Sequence, residues 1–146
     1  MRSDRYNLER FVAAQADSYE TAWAEIKRGA KPSHWMWYIF PQIAGLGSSL
    51  TTRFYAIGSL DETQAYLEHP VLGQRLRACV EALQDLSSTT AEAVFGSIDA
   101  MKLRSSLTLF IAAGGDSMFL AALQRWFGGE DDEATLQRIS LDGPSV

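Results

Sequence analysis

The residues of this chain that could do chemistry fall in three short segments. Lys31, His34 and Gln42 flank a run of large apolar residues, Trp35-Met36-Trp37-Tyr38-Ile39-Phe40. Ser48, Ser49 and Tyr55 follow a Gly45-Leu46-Gly47 turn. Asp99, Lys102, Ser105 and Ser106 open a long apolar segment. A lysine beside an aromatic ring suits an anionic group attached to a flat ring, because the ammonium neutralises charge and the ring offers a stacking face. Asp99 or His34 could serve as acid or base. Lys102 and Ser106 stand four apart, one above the other on a helix, and a lysine can activate a serine hydroxyl. The order Lys-then-Ser departs from the Ser-x-x-Lys of known acyl enzymes, and helical hydroxyls commonly bond back to the carbonyl four residues earlier. No second essential carboxylate accompanies these groups, so no reaction is assigned.

Other chemistries are disfavoured. The glycine run lacks the Gly-Lys-Ser/Thr ending of a phosphate loop and the spacing of a dinucleotide fingerprint. One cysteine, Cys79, excludes an intrachain disulfide, and with two separated histidines no zinc-ligand cluster forms. Neither a cofactor nor a metal is expected. The net charge of −5 speaks against a nucleic-acid surface. The N-terminus, MRSDRYNLER, lacks the apolar core of a signal peptide, and no segment reaches the roughly 20 apolar residues that span a bilayer. A cytoplasmic protein is expected.

The elements that must position these residues read as helices. Apolar residues recur at helical spacing through Leu8, Phe11, Val12, Tyr19, Ala22, Trp23 and Ile26, with Asp17 and Glu20 as a capping-box pair and Gly29 as the stop. This predicts helices over 8–16 and 18–28. One or two turns capped by Ser33 are predicted before Pro41, which pushes Phe40 out of the helical region. The stretch 53–57 is ambiguous between helix and extended chain. Ser59 with Glu62 opens the next helix; His69-Pro70 ends it, with His69 expected to cap carbonyls. Pro70 starts another, carried by Leu72, Leu76, Cys79, Val80 and Leu83. Thr89 with Glu92 opens a short helix that Gly96 ends, and Ser97 or Asp99 caps a longer one. Asp116 caps a helix bearing Phe119, Leu120, Leu123, Trp126 and Phe127, and the block Glu130 to Glu133 starts a last one over 133–139. Nothing alternates with period two. The prediction is an all-α, compact, single-domain multihelical bundle of about seven or eight helices, spanning 1–146, with an ordered core over about 6–139 and a flexible tail over 140–146.

The run Lys31 to Gln42 with Gly45-Leu46-Gly47-Ser48, then Tyr66-Leu67, His69-Pro70-Val71-Leu72-Gly73, Arg75-Leu76, Asp99 and Lys102 to Phe110, resembles a family of unknown function. Bacterial genomes often label its members "calpastatin-like". The resemblance implies a compact, mostly helical domain and supplies no activity. A chain with four tryptophans and repeated capped helices does not fit a disordered inhibitor such as calpastatin.

Two functions follow from these residues. In one, Lys31, His34, Trp35, Gln42, Ser48, Ser49, Tyr55, Asp99, Lys102 and Ser106 converge on a pocket for a small anionic molecule, a nucleotide or an ADP-ribose-like compound, with Trp35 or Tyr38 stacking on its ring. In the other, the chain is a non-enzymatic module that offers a helical groove to a protein partner.

Overall fold

The computed structural model describes residues 4–141, and these form nine helices. They are α1 (Glu9–Ala16), α2 (Tyr19–Arg28), α3 (Met36–Ile39), α4 (Leu50–Tyr55), α5 (Leu60–Glu68), α6 (Leu72–Gln84), α7 (Ala91–Ala112), α8 (Ser117–Phe127) and α9 (Glu133–Leu141). The count exceeds the predicted seven or eight. Of the ambiguous stretch 53–57, residues 53–55 are helical, because the Ser49 side chain accepts from the Thr52 N–H and starts a turn there, whereas Ala56 and Ile57 are extended and Ile57 pairs with Ile43 in a parallel bridge. Ser140 and Leu141 belong to α9, against the tail predicted from 140; 142–146 lie outside the described residues.

The organising element is α7, which packs against α3, α5, α8 and α9. Residues 105 to 110 are buried without a break, so this stretch is core on every side. Its hydroxyls are mostly satisfied locally. Thr108 Oγ1 donates to the Arg104 carbonyl at 2.8 Å, and Ser105 Oγ lies 3.1 Å from the Met101 carbonyl. Around α7 gather Trp35, Phe40, Tyr66, Phe95, Phe110 and Phe119, fully or nearly fully buried, with edge-on contacts such as Trp35–Phe95 at 6.3 Å between centroids.

Several caps differ from their sequence reading. Gly29 ends α2 with φ 79°, a left-handed conformation that glycine adopts without cost. Ser59 caps α5, but Glu62 reaches back to the Gly58 N–H. The Asp17–Glu20 box is not made: Ser18 occupies the cap position and its hydroxyl donates to the Ala14 carbonyl. Thr90, not Thr89, caps α7 through the Ala93 N–H. His69 serves donors rather than carbonyls, its Nδ1 accepting from the Val71 and Leu72 N–H groups at the start of α6. Asp116 makes no cap because Arg77 takes its carboxylate at 2.8 Å. That pairing outweighs the slight burial and holds the Asp116 carboxyl below its ordinary value. Asp132, within the acidic block, caps α9 by accepting from the Thr135 N–H and hydroxyl.

The kink at Gly96 matters most for the site. Gly96 sits at φ 81° and ψ 162°, a region open essentially to glycine alone, and it divides α7 into two helical stretches. The division predicted at Gly96 is therefore present in the backbone.

Candidate functional site

The site begins at the end of α2. After Gly29 the chain turns, and the Lys31 N–H donates to the Val94 carbonyl at 2.9 Å. The kink at Gly96 interrupts the helical ladder there, so the loop bonds directly onto α7. The next residues are organised by Glu25, a buried carboxylate on α2. It accepts from the Ser33 hydroxyl at 2.5 Å and from the Trp35 indole Nε1 at 2.8 Å. Burial acts to raise the Glu25 carboxyl, but these hydrogen bonds outweigh it and hold the group below its ordinary value. Ser33 is thus engaged by Glu25 and does not cap α3, whose cap position falls on Trp35.

This scaffold sets Lys31 against Asp99. The Lys31 Nζ donates to the Ser33 carbonyl at 2.7 Å, lies 2.6 Å from Asp99 Oδ2, and stands 4.9 Å from the centre of the Trp35 ring. Its side chain is 3% exposed. Asp99 is shared: its other oxygen lies 3.5 Å from the Lys102 Nζ. Lys102 in turn stands 4.9 Å from the centre of the Trp37 ring, with its side chain 26% exposed. Two ammoniums, the Asp99 carboxylate and two indoles therefore form one cluster, with the Glu25 carboxylate behind Ser33 and Trp35. An ammonium carries three donors. Lys31 commits its own to Ser33 and Asp99, whereas Lys102 has Asp99 only at the outer limit of hydrogen-bond range.

Of the ten residues picked out by sequence, Lys31, Trp35, Asp99 and Lys102 stand together here. Gln42 and Tyr55 meet Trp37 around a separate cavity of about 10 Å³ between α3 and α4, with Ile43, Leu46 and Thr52. That space is at the lower limit for one water and does not admit a nucleotide. Burial and the neighbouring Tyr38 push the Tyr55 hydroxyl above its ordinary value, so it stays neutral. His34 and Ser48 are exposed, and no hydrogen bond of their side chains occurs among the described residues. Ser49 is occupied as the cap of α4. Ser106 is fully buried, and its Oγ has no partner, so the Lys102–Ser106 dyad is not formed. Trp35, at 1% exposure with its N–H on Glu25, has no free face for a ligand.

Sequence reasoning left Trp37 and Glu25 out of the site. Trp37 carried a usable signal, since helical spacing sends it to a different side from Trp35. Glu25 carried none; only the tertiary fold brings Ser33 and Trp35 onto it. Among the described residues no group of His, Cys, Asp and Glu is arranged to hold a metal ion, and no helix is long and apolar enough to cross a membrane.

No curated protein matches the chain. Among solved structures it is similar to the conserved hypothetical protein Rv1873 from Mycobacterium tuberculosis, a crystal structure at 1.38 Å. The identity is 42%, the TM-score is 0.92, and the match covers 94% of this chain and 99% of that one. The family described as protein of unknown function (DUF1810) matches residues 5–139. With nearly its whole length matched, the chain belongs to the DUF1810 family.

Proposed function

We propose that the protein binds a small anionic molecule at Lys102 and Trp37, with the buried Lys31 and the partly exposed Asp99 as the support. The observation that carries this is the shared carboxylate. Asp99 lies between two lysines and contacts Lys31 more closely, which leaves the partly exposed Lys102 ammonium with unused donors above an indole face. In a chain of net charge −5, this is an ammonium held in a fixed position with donors to spare. The cavity beside Trp37 holds at most one water, so the anion lies on the surface against Lys102 and the indole, which favours a compact group such as a phosphate over a whole nucleotide buried in the fold. An ADP-ribose-like compound would have to lie across the surface with only its phosphate on Lys102. A cytoplasmic setting fits, since it keeps the single cysteine as a thiol.

A thermal-shift titration with inorganic phosphate, pyrophosphate, nicotinamide nucleotides and ADP-ribose tests the reading. A ligand at 100 times its Kd adds about 2.7 kcal/mol to a folded state that alone binds it, a shift of several degrees at this size. The shift is expected to vanish in Lys102→Ala and to weaken with salt. A shift that survives Lys102→Ala would place the ligand elsewhere. If none of these compounds moves the melting temperature, the partner-binding alternative takes over. It is favoured by the exposed apolar side chains of Leu50 and Phe54 on α4 and of Ile98 and Met101 on α7.

A further inference from the structure

Ile98 and Met101 connect the Lys102 cluster to a second cavity. On α7, Ile98 precedes Met101 by three residues and Lys102 by four, so it is the neighbour of both on the helix surface. Lys102 stands against Trp37 and Asp99. Met101 instead lines a groove of about 200 Å³ between α7 and the end of α8. Ala91, Ala100, Trp126 and Phe127 supply its other apolar walls. Trp126 is fixed there by its Nε1, which donates to Gln84 Oε1 at 2.8 Å. Ile98 and Met101 are 70% and 64% exposed, so the surface between the ammonium and the groove is apolar and open to solvent.

The groove offers no charge to an anion. Its Arg104 is ion-paired with Glu130 and Asp132, at 3.9 Å and 3.7 Å, and Glu92 lines it as well. An anionic head is therefore turned away from this end, and the walls of Met101, Trp126 and Phe127 accept an uncharged chain. A methionine side chain adapts to such a chain readily. At the other end Lys102 has donors to spare, and its ammonium is a point charge that suits a phosphate head. The two ends thus favour opposite properties in one ligand.

We propose that the anion bound at Lys102 is the head of a single-chain amphiphile, whose alkyl chain crosses Ile98 and Met101 and ends in the groove against Trp126 and Phe127. This rests on the reading of Lys102 and Trp37 as the anion's partners and names the class of molecule they take. The groove admits part of one alkyl chain and does not admit a nucleotide. The ligand is a free monomer and not a bilayer, because an anionic lipid surface repels a protein of net charge −5.

Octyl phosphate is the probe, kept below its micellar concentration at constant ionic strength. Inorganic phosphate carries its head alone, and octyl glucoside carries its chain on a neutral head. The readouts are the indole N–H resonances of Trp37 and Trp126 by NMR. Inorganic phosphate is expected to move Trp37 only. Octyl phosphate is expected to move both along one saturation curve and to bind about tenfold or more tighter than inorganic phosphate, the gain from covering a few methylenes. Octyl glucoside is expected to bind about tenfold or more weaker than octyl phosphate, because the charge-assisted contact with Lys102 is lost. Ile98→Ser combined with Met101→Ser, both at exposed positions, is expected to bring octyl phosphate down to the level of inorganic phosphate and to leave inorganic phosphate unchanged. Octyl phosphate that binds no tighter than inorganic phosphate, leaves Trp126 unmoved or is indifferent to that double change overturns the amphiphile, while the anion site at Lys102 stands. Octyl phosphate binding that survives Lys102→Ala, or no movement of either resonance, overturns both. Phosphatidate vesicles that move Trp126 would make this surface a membrane contact and overturn the free monomer.

Discussion

The Lys31 N–H donates to the Val94 carbonyl, the acceptor that an unbroken α-helix would give to the Ile98 N–H. The kink at Gly96 is therefore what lets the loop after α2 bond onto α7, at a point in the sequence shortly before the Asp99 that Lys31 meets. Gly96→Ala tests this. Open space surrounds the position, with no atom within 4 Å of an added Cβ, so any cost comes from the backbone. A loss of about 1–3 kcal/mol in urea unfolding is expected. If Ala is tolerated without loss, the kink is not under the strain that its φ of 81° and ψ of 162° imply.

The two tryptophans should separate in a stability measurement. Trp35 is 1% exposed, and Trp35→Ala is expected to cost about 3–5 kcal/mol, as large aromatic truncations in cores do. Trp37 is only half-buried, so Trp37→Ala should cost clearly less. Equal losses in chemical denaturation would mean that Trp37 is as much a core residue as Trp35.

The two lysines should separate in the same way. Lys102→Ala removes a partly exposed pair and is expected to change stability by less than about 1 kcal/mol. Lys31→Ala removes a buried ammonium together with its bond to Ser33 and should cost more than Lys102→Ala. Asp99 keeps Lys102 in the Lys31→Ala variant, which limits the loss. A double-mutant cycle on Lys31 and Asp99 measures the pair directly.

Glu25 gives the fold a dependence on acid. Its carboxyl is held below the ordinary 4.5, so the unfolded chain takes up a proton first as the pH falls. The stability it contributes is fully present above that ordinary value and is lost as the pH drops through the lower folded value. Glu25→Gln should therefore be less stable than the parent protein near neutral pH, with the gap narrowing in acid. Urea melts of both proteins across that range check it; a gap independent of pH would show that the hydrogen bonds act without the charge.

Cys79 should be silent in the folded protein. Burial pushes its thiol up to about 12, and the residue has no exposed surface. A thiol reagent at mildly alkaline pH is expected to react only at the rate of unfolding. Fast labelling of the native state would show that α6 opens far more readily than its packing implies.

What could be read from the sequence was local. Gly29, Ser59 and Pro41 act on their immediate neighbours, and the structure uses each at its predicted place. Adjacent threonines defeated the same logic: the Thr89–Glu92 spacing fits a capping box, yet Thr90 holds the cap. Lys31, Asp99 and Lys102 drew notice as polar residues beside apolar runs, but nothing in their spacing reveals that Lys31 is buried and Lys102 is partly exposed. That distinction depends on Glu25 fixing Ser33 and Trp35 from ten or fewer residues away, and on α3 lying across α7.

The parallel bridge between Ile43 and Ile57 closes a loop around α4. The Ile57 N–H donates to the Gln42 carbonyl and the Ala44 N–H to the Ile57 carbonyl, so the two ends of the segment between them are tied at its base. Arg10 reinforces the tie through the Phe54 and Ala56 carbonyls. The helix carried between them, α4, buries none of its residues. A protease that cuts within that helix would leave two fragments held together by the bridge, the arginine and the buried isoleucines. The nicked chain should run as one species on a sizing column and come apart only in denaturant.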